Sequence, residues 1–251
     1  MIKKATNIIF HLLLVKGFAL SISPIDLEIE AAKGQGYYTI TNDNNSQKVI
    51  AITTKSRFLD EDGKHYYEPT KDLIVYPKQL VLKPREKRLV RVIWKAKEQI
   101  KEEKSYRIIF AEQNVDVDFG EKDLEKSEKR AGVSFGIRFD GSVYVQPNKK
   151  VAPSIEVTEY GKKKIEGEDF FVITLENKGG KRKYINVEDL EIELLMQLKG
   201  EKDRWHLLSE ELIKKHMGMN LMMLAGGKRR IKIPVSEKEI PENIVGVRIS
   251  E

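Results

Sequence analysis

Between residues 133 and 145 the apolar side chains Val133, Phe135, Ile137, Phe139, Val143 and Val145 all fall on odd positions. The even positions carry Ser134, Gly136, Arg138, Asp140, Ser142 and Tyr144, and only Gly141 interrupts the odd series. Side chains alternate faces along an extended backbone, so this run specifies a β-strand with one greasy face. It is the longest clean alternation in the chain, and it sits just before a turn-rich stretch, Pro147-Asn-Lys-Lys-Val-Ala-Pro153.

Strand patterns dominate the rest as well. Ile25–Ile29 alternates, and Gly34 and Gly36 set a turn before Tyr37–Thr41. Val49–Thr54 is rich in β-branched residues, and Leu73–Tyr76 and Leu80–Leu82 end near Pro77 and Pro84, which cannot donate to a central ladder. Leu89–Trp94 follows, then Tyr106–Phe110, whose apolar and aromatic content predicts a central strand. Residues 115–131 hold ten charges and read as a solvated loop. Beyond the linker, strands are predicted over Ser154–Thr158, Phe170–Glu176, Leu190–Leu195, Arg230–Pro234 and Ile244–Ile249. Leu208, Leu212 and Ile213 permit one short helix between Trp205 and His216, and the methionines of Met217–Met223 suit core packing. The chain is therefore all-β. No internal repeat shows at a fixed period.

Chain organisation follows from the ends and the linker. Lys3 and Lys4, the apolar stretch Ile8–Val15, and the small residues Ala19 and Ser21 match a signal peptide over 1–21, cleaved after Ser21. A largely apolar stretch of eight residues is too short to span a bilayer, and nothing later is long and apolar enough, so no membrane span is expected. One domain is assigned to 22–147 and a second to 152–251. The leader predicts export from the cytoplasm.

The formal charge of +6 does not indicate nucleic-acid binding. Residues 152–251 carry 18 basic and 18 acidic side chains, and three lysines lie in the leader, leaving about +3 on the mature chain. That charge is small and well mixed, unlike a surface that tracks phosphates. With no cysteine there is neither a disulfide framework nor a thiolate metal site. His65, His206 and His216 share no ligand spacing, and a calcium loop starting at Asp60 would need Gly where His65 stands and Glu where Lys71 stands, so Asp60-Glu-Asp-Gly63 reads as a hairpin turn. No nucleophile elbow, phosphate loop or dinucleotide fingerprint is present. These absences argue against an enzyme and against a metal or other cofactor.

Several segments, taken in order, resemble one family. Tyr38-Thr-Ile-Thr-Asn42, Val75-Tyr-Pro-Lys-Gln-Leu-Val-Leu-Lys-Pro84, Leu89-Val-Arg-Val-Ile-Trp94 and Tyr106-Arg107-Ile108-Ile109 look like the first domain of periplasmic (PapD-like) fimbrial chaperones, in a divergent branch. Glu176-Asn-Lys-Gly179 and Met223-Leu-Ala-Gly-Gly-Lys-Arg-Arg-Ile231 are similar to the second domain. The resemblance implies two immunoglobulin-like β-sandwiches joined at an angle. It also implies that the protein folds and caps pilus subunits and delivers them to an outer-membrane usher. Such a chaperone lends its client a missing strand, satisfying both an open sheet edge and an apolar groove. The donor residues would be Phe135, Ile137, Phe139, Val143 and Val145. Burying five such side chains would give about 7–15 kcal/mol gross. A donor edge without a client could also pair two copies of the chain.

The resemblance has gaps. Better-known members grip the client's terminal carboxylate with a basic residue on the first and last strands of domain one. Here Ile25–Leu27 and Ser142 stand at those places. Arg91, Arg107 and Arg138 are the candidate substitutes, because a guanidinium can hold a carboxylate through two hydrogen bonds. Arg85 replaces the family's usual glycine. A secreted adhesive sandwich, or a hydrolase with an unrecognised carboxylate site, remains as an alternative.

Overall fold

The computed structural model describes residues 20–95, 99–113, 136–198, 200, 202–218 and 220–250. The first half contains β1 (Leu20–Ser23), β2 (Asp26–Glu30), β3 (Gln35–Asn42), β4 (Lys48–Leu59), β5 (His65–Pro69), β6 (Leu73–Tyr76), β7 (Gln79–Leu82), β8 (Lys87–Trp94), β9 (Lys104–Gln113) and β10 (Arg138–Gln146). One sheet runs β1-β3-β8-β6, and the other runs β2-β10-β9-β4-β5 with β7 also paired to β4. Their inner faces enclose a core that includes Tyr38, Ile40, Ile50, Val90, Val92, Ile108 and Phe110. β9 is the middle strand of its sheet, as its apolar content predicts.

The second half contains β11 (Ile155–Ile165), β12 (Glu168–Asn177), β13 (Lys183–Asn186), β14 (Glu191–Met196), β15 (Arg204–Leu207), α1 (Glu210–Met217), β16 (Asn220–Met223), β17 (Lys228–Pro234) and β18 (Ile244–Ser250). These form the sheets β11-β12-β17, β13-β16 and β15-β14-β18 around a separate core with Phe171, Ile173, Leu175, Ile192, Leu194 and Ile233. The fold is thus two all-β units. The predicted helix is real but shorter. Trp205 belongs to β15, and the Ser209 side chain caps α1 by accepting from the Leu212 amide. Met217 and Met223 are buried as expected, with β16 occupying the methionine-rich stretch. Among the described residues no helix is long and apolar enough to cross a membrane.

Three sequence expectations meet the edges of this description. The leader's first 19 residues and the whole of the charged 115–131 loop lie outside the described residues. Leu20 and Ser21, assigned to the leader, instead begin β1 and pair with Asn42 and Thr41, Leu20 being buried. Cleavage after Ser21 would remove half of that strand. Arg85 takes a φ of 61°, the left-handed conformation that a glycine would adopt freely, and its guanidinium donates to Asn45 Oδ1 at 3.1 Å.

Candidate functional site: an open strand edge and a cationic cleft

β10 is flanked on one side along its whole length and on the other along only half. It pairs antiparallel with β9 from Arg138↔Ala111 to Val145↔Lys104, and the Glu112 amide extends the ladder to the Ile137 carbonyl at 2.8 Å. β2 joins its other edge in parallel only from Ser142↔Asp26 onward, where the Ser142 amide donates to the Ile25 carbonyl at 3.0 Å. The Ser142 amide faces β2 and the Ile137 carbonyl faces β9. By alternation, the backbone groups of Arg138 and Asp140 point to the open side. Among the described residues nothing pairs with that side from Arg138 to Gly141. Ile25, where β2 would have continued, is 74% exposed.

Gly141 marks the junction. A Cβ there would lie 3.1 Å from both the Ile25 carbonyl oxygen and Ile108 Cγ2, and 3.2 Å from the Tyr38 hydroxyl. The missing side chain lets the Tyr38 hydroxyl reach the Ser142 carbonyl at 2.6 Å. Burial pushes that phenol well above its ordinary value, so it stays a neutral donor.

The outer face of the same sheet forms a cleft wall. Directly paired residues share a face, which places Asp26, Ser142, Arg107 and Lys55 in one row. Arg57, Tyr67 and His65 stand on that face further along β4 and β5. Arg57 is only 7% exposed. Its Nη1 donates to Ser142 Oγ at 3.2 Å and to the Tyr144 hydroxyl at 3.0 Å, and its Nε donates to His65 Nδ1 at 3.2 Å. Nη2 meets only the weak acceptor Met222 Sδ and His65 Nε2, both at 3.5 Å. Arg107 donates to the Tyr67 hydroxyl at 3.0 Å, while its buried Nε has no partner among the described residues. Neither guanidinium has a carboxylate at ion-pair distance there. A buried cation without a counter-charge is costly, and an incoming carboxylate would relieve that cost.

The second unit closes the cleft. Tyr184 and Met222 are paired across β13 and β16, and they face Tyr144 and Arg57; the two tyrosine hydroxyls are 2.8 Å apart. Burial and that contact push the Tyr184 phenol up to about 12. Arg182 stacks 3.5 Å above the Tyr144 ring and pairs with Glu28 and the buried Glu103. On the far side the Glu61–Asp62 turn docks on Arg230 and Lys232, with Lys232 Nζ 2.9 Å from Asp62. That turn is a hairpin loop, as its sequence indicates.

No protein-family model matches the sequence, and no curated protein does either. Solved structures do. The class 5 fimbriae chaperone CfaA matches with a TM-score of 0.53, covering 93% of this chain and 99% of its own at 14% identity. A chain from the CsuC–CsuE chaperone–tip adhesion subunit pre-assembly complex of Acinetobacter baumannii Csu pili matches with a TM-score of 0.50. That match covers 87% of this chain and 91% of the other at 16% identity. A chain from the Salmonella enterica SafA pilin–SafB chaperone complex also reaches 0.50, over 86% of this chain and 85% of that one at 11% identity. This chain has the pilus-chaperone fold.

Within that chaperone fold the residues singled out by sequence separate clearly. Ile137 and Phe139 are half-buried beside the open edge, and Phe139 leans on the first core. Phe135 lies outside the described residues. Val143 and Val145 require correction: both are fully buried in the molecule's own core, packed among the inner-face side chains of both sheets, while β2 and β9 pair that half of the backbone from both sides. They cannot enter a client. Arg91 is remote from the cleft, on β8 of the opposite sheet, where it donates to Gln35. Arg138 is engaged by Asp140 at 2.8 Å and 3.1 Å. Of the three arginines, Arg107 is the one whose guanidinium bonds within the cleft wall, to Tyr67. Sequence reading missed Arg57, the more buried cation. A signal existed in the continuation of Val49–Thr54 alternation through Lys55 and Arg57, which carries β4 to Leu59.

Proposed function

We propose that this protein is a periplasmic chaperone for pilus subunits, working by strand donation rather than by catalysis. The observation that carries this reading is the open edge of β10 from Arg138 to Gly141, beside the exposed Ile25. A client lacking its last strand would pair along that edge in line with β2, its groove receiving Ile137 and Phe139 and any further apolar residues upstream. Two side chains of this size contribute about 3–6 kcal/mol gross at most, so backbone pairing and a second anchor must supply the rest.

The cationic cleft suits that anchor. A client's terminal carboxylate would settle against Arg57 Nη2 and Arg107, displacing the poor Met222 contact, while Ser142 and Tyr144 keep Arg57 oriented. The two units would correspond to residues 20–147 and 152–251, with the leader ending before Leu20, since β1 needs that residue. Delivery to an outer-membrane usher follows from the same reading. Co-expression with a pilus subunit encoded beside this gene tests it. A one-to-one complex, with the subunit aggregating alone, supports the proposal; a subunit that stays soluble unaided and ignores this protein sinks it.

A further inference from the structure

His65 is a histidine placed among cations. Arg57 on β4 donates to its Nδ1 at 3.2 Å, and Tyr67, on its own strand, stacks on it at 6.2 Å with the rings nearly parallel. Arg107 on β9 and Arg229 on β17 add two more positive charges, Arg229 lying directly against the neighbouring Gly63, where Asp60 and Asp62 of the same hairpin turn partly offset it. Among the described residues no carboxylate is at ion-pair distance from the ring. Because Nδ1 accepts from an arginine, it carries a lone pair, and the resting imidazole is neutral. Burial first, then Arg57, Arg107 and Arg229, hold its pKa below the ordinary 6.5.

We infer that the cleft is a proton-coupled carboxylate site, in which His65 takes up one proton from solvent as a carboxylate binds Arg57 and Arg107. This rests on the carboxylate-anchor reading above and adds its regulation. The anion draws on Arg57 through Nη2 and Nε, the edge not held by Ser142 and Tyr144, and so frees His65 Nδ1. It also cancels part of the positive field. Both effects favour imidazolium, and the protonated ring then donates toward the new negative charge. The overall change is one carboxylate and one proton bound, with no bond broken. Affinity therefore rises as pH falls through the window between the resting and the liganded histidine pKa, by up to about tenfold per unit of separation. The carboxylate itself stays ionised across that window, since terminal carboxyl groups titrate near roughly 3.5.

The test follows the His65 ring protons by NMR during a pH titration of the purified protein, with His206 and His216 as internal references. The probes are an acetylated valine–threonine pentapeptide ending in a free carboxylate, and the same peptide ending in an amide, at several millimolar. The expected result is a His65 pKa raised by about one unit with the acid and unmoved by the amide. An unmoved His65 with the acid, or equal shifts with both, overturns the inference. His65→Gln keeps an acceptor for Arg57 and should bind the acid peptide without pH dependence between about pH 5.5 and 7.5. A pH dependence that survives His65→Gln also overturns it. Complex formation with a pilus subunit is a separate readout. Its failure would remove the chaperone reading, whereas a normal complex with a silent His65 would remove only the proton coupling.

Discussion

Asn42 and Asn177 do the same work in the two halves of the molecule. Each is fully buried at the end of a strand, β3 or β12. Asn42 Nδ2 donates to the carbonyls of Ser46, Leu82 and Lys83, and its Oδ1 accepts from the Asn44 amide. Asn177 Nδ2 donates to those of Lys181, Met223 and Leu224, and its Oδ1 accepts from the Gly179 amide. One side chain thus ties a strand end to its own turn and to the turn before the partner strand. Alanine at either position leaves those groups unsatisfied, one carbonyl in each set being buried. A loss of about 2–3 kcal/mol is expected for each substitution, read from the urea midpoint. Aspartate should cost more, because it sets a carboxylate against the same carbonyl oxygens.

That equivalence was invisible as a repeat, because what recurs is a hydrogen-bond pattern built on one asparagine. Strand content and the central place of β9 were legible, since alternation and apolar density follow directly from burial. Burial along the alternating run of β10 was legible only in part. Val143 and Val145 alternate just as Ile137 and Phe139 do, and a period-two pattern cannot tell fully buried positions from half-buried ones on the same face. What separates them is where β2 begins, at Asp26, which is a fact of register. Arg57 was hidden for a related reason. Its burial comes from Tyr144 and Met222, residues that only the folded chain brings near.

Arg182 and Glu103 join the two units, and their removal should show a distinctive pH signature. Burial raises the Glu103 carboxyl above its ordinary 4.5, with Arg182 pulling the other way. Arg182→Met leaves a buried carboxylate unpaired, at a cost of about 3–5 kcal/mol near neutral pH. A raised carboxyl pKa means the folded state binds the extra proton, so this contribution declines as pH climbs above the unfolded value. The gap between wild type and Arg182→Met should therefore widen from about pH 5 to pH 7.5 in urea melts. Adding Glu103→Gln should restore much of the loss; no recovery would mean that the Tyr144 stacking, not the charge, matters.

Gly141 controls the junction between the closed and open halves of β10. Alanine there must push on Ile108, the Ile25 carbonyl and the Tyr38 hydroxyl, each 3.1–3.2 Å from the new methyl. Crowding of this kind costs about 1–2 kcal/mol. A lower melting temperature is expected, together with weaker client binding, because the Ile25 carbonyl, beside the place where an incoming strand would continue β2, is displaced. Valine should exceed alanine in both effects, as measured by differential scanning fluorimetry and by pull-down of a co-expressed subunit.

Ile137 and Val145 make the sharpest contrast, since both belong to one alternating run and only their neighbours differ. Ile137 is half-buried where β10 has an open side, whereas Val145 is sealed between β2 and β9. Aspartate at Ile137 keeps a charge at the surface, so the melting temperature should change by no more than about 2–3 °C. The same charge carried into a client's groove is an unpaired ion out of water, and complex formation should fall below detection in co-purification. Val145→Asp buries that charge in the protein's own core and should prevent stable folding altogether. If Ile137→Asp unfolds the protein as Val145→Asp does, the first half of β10 is ordinary core and the strand-donation reading fails. If it folds and still holds its client fully, the client engages some other surface.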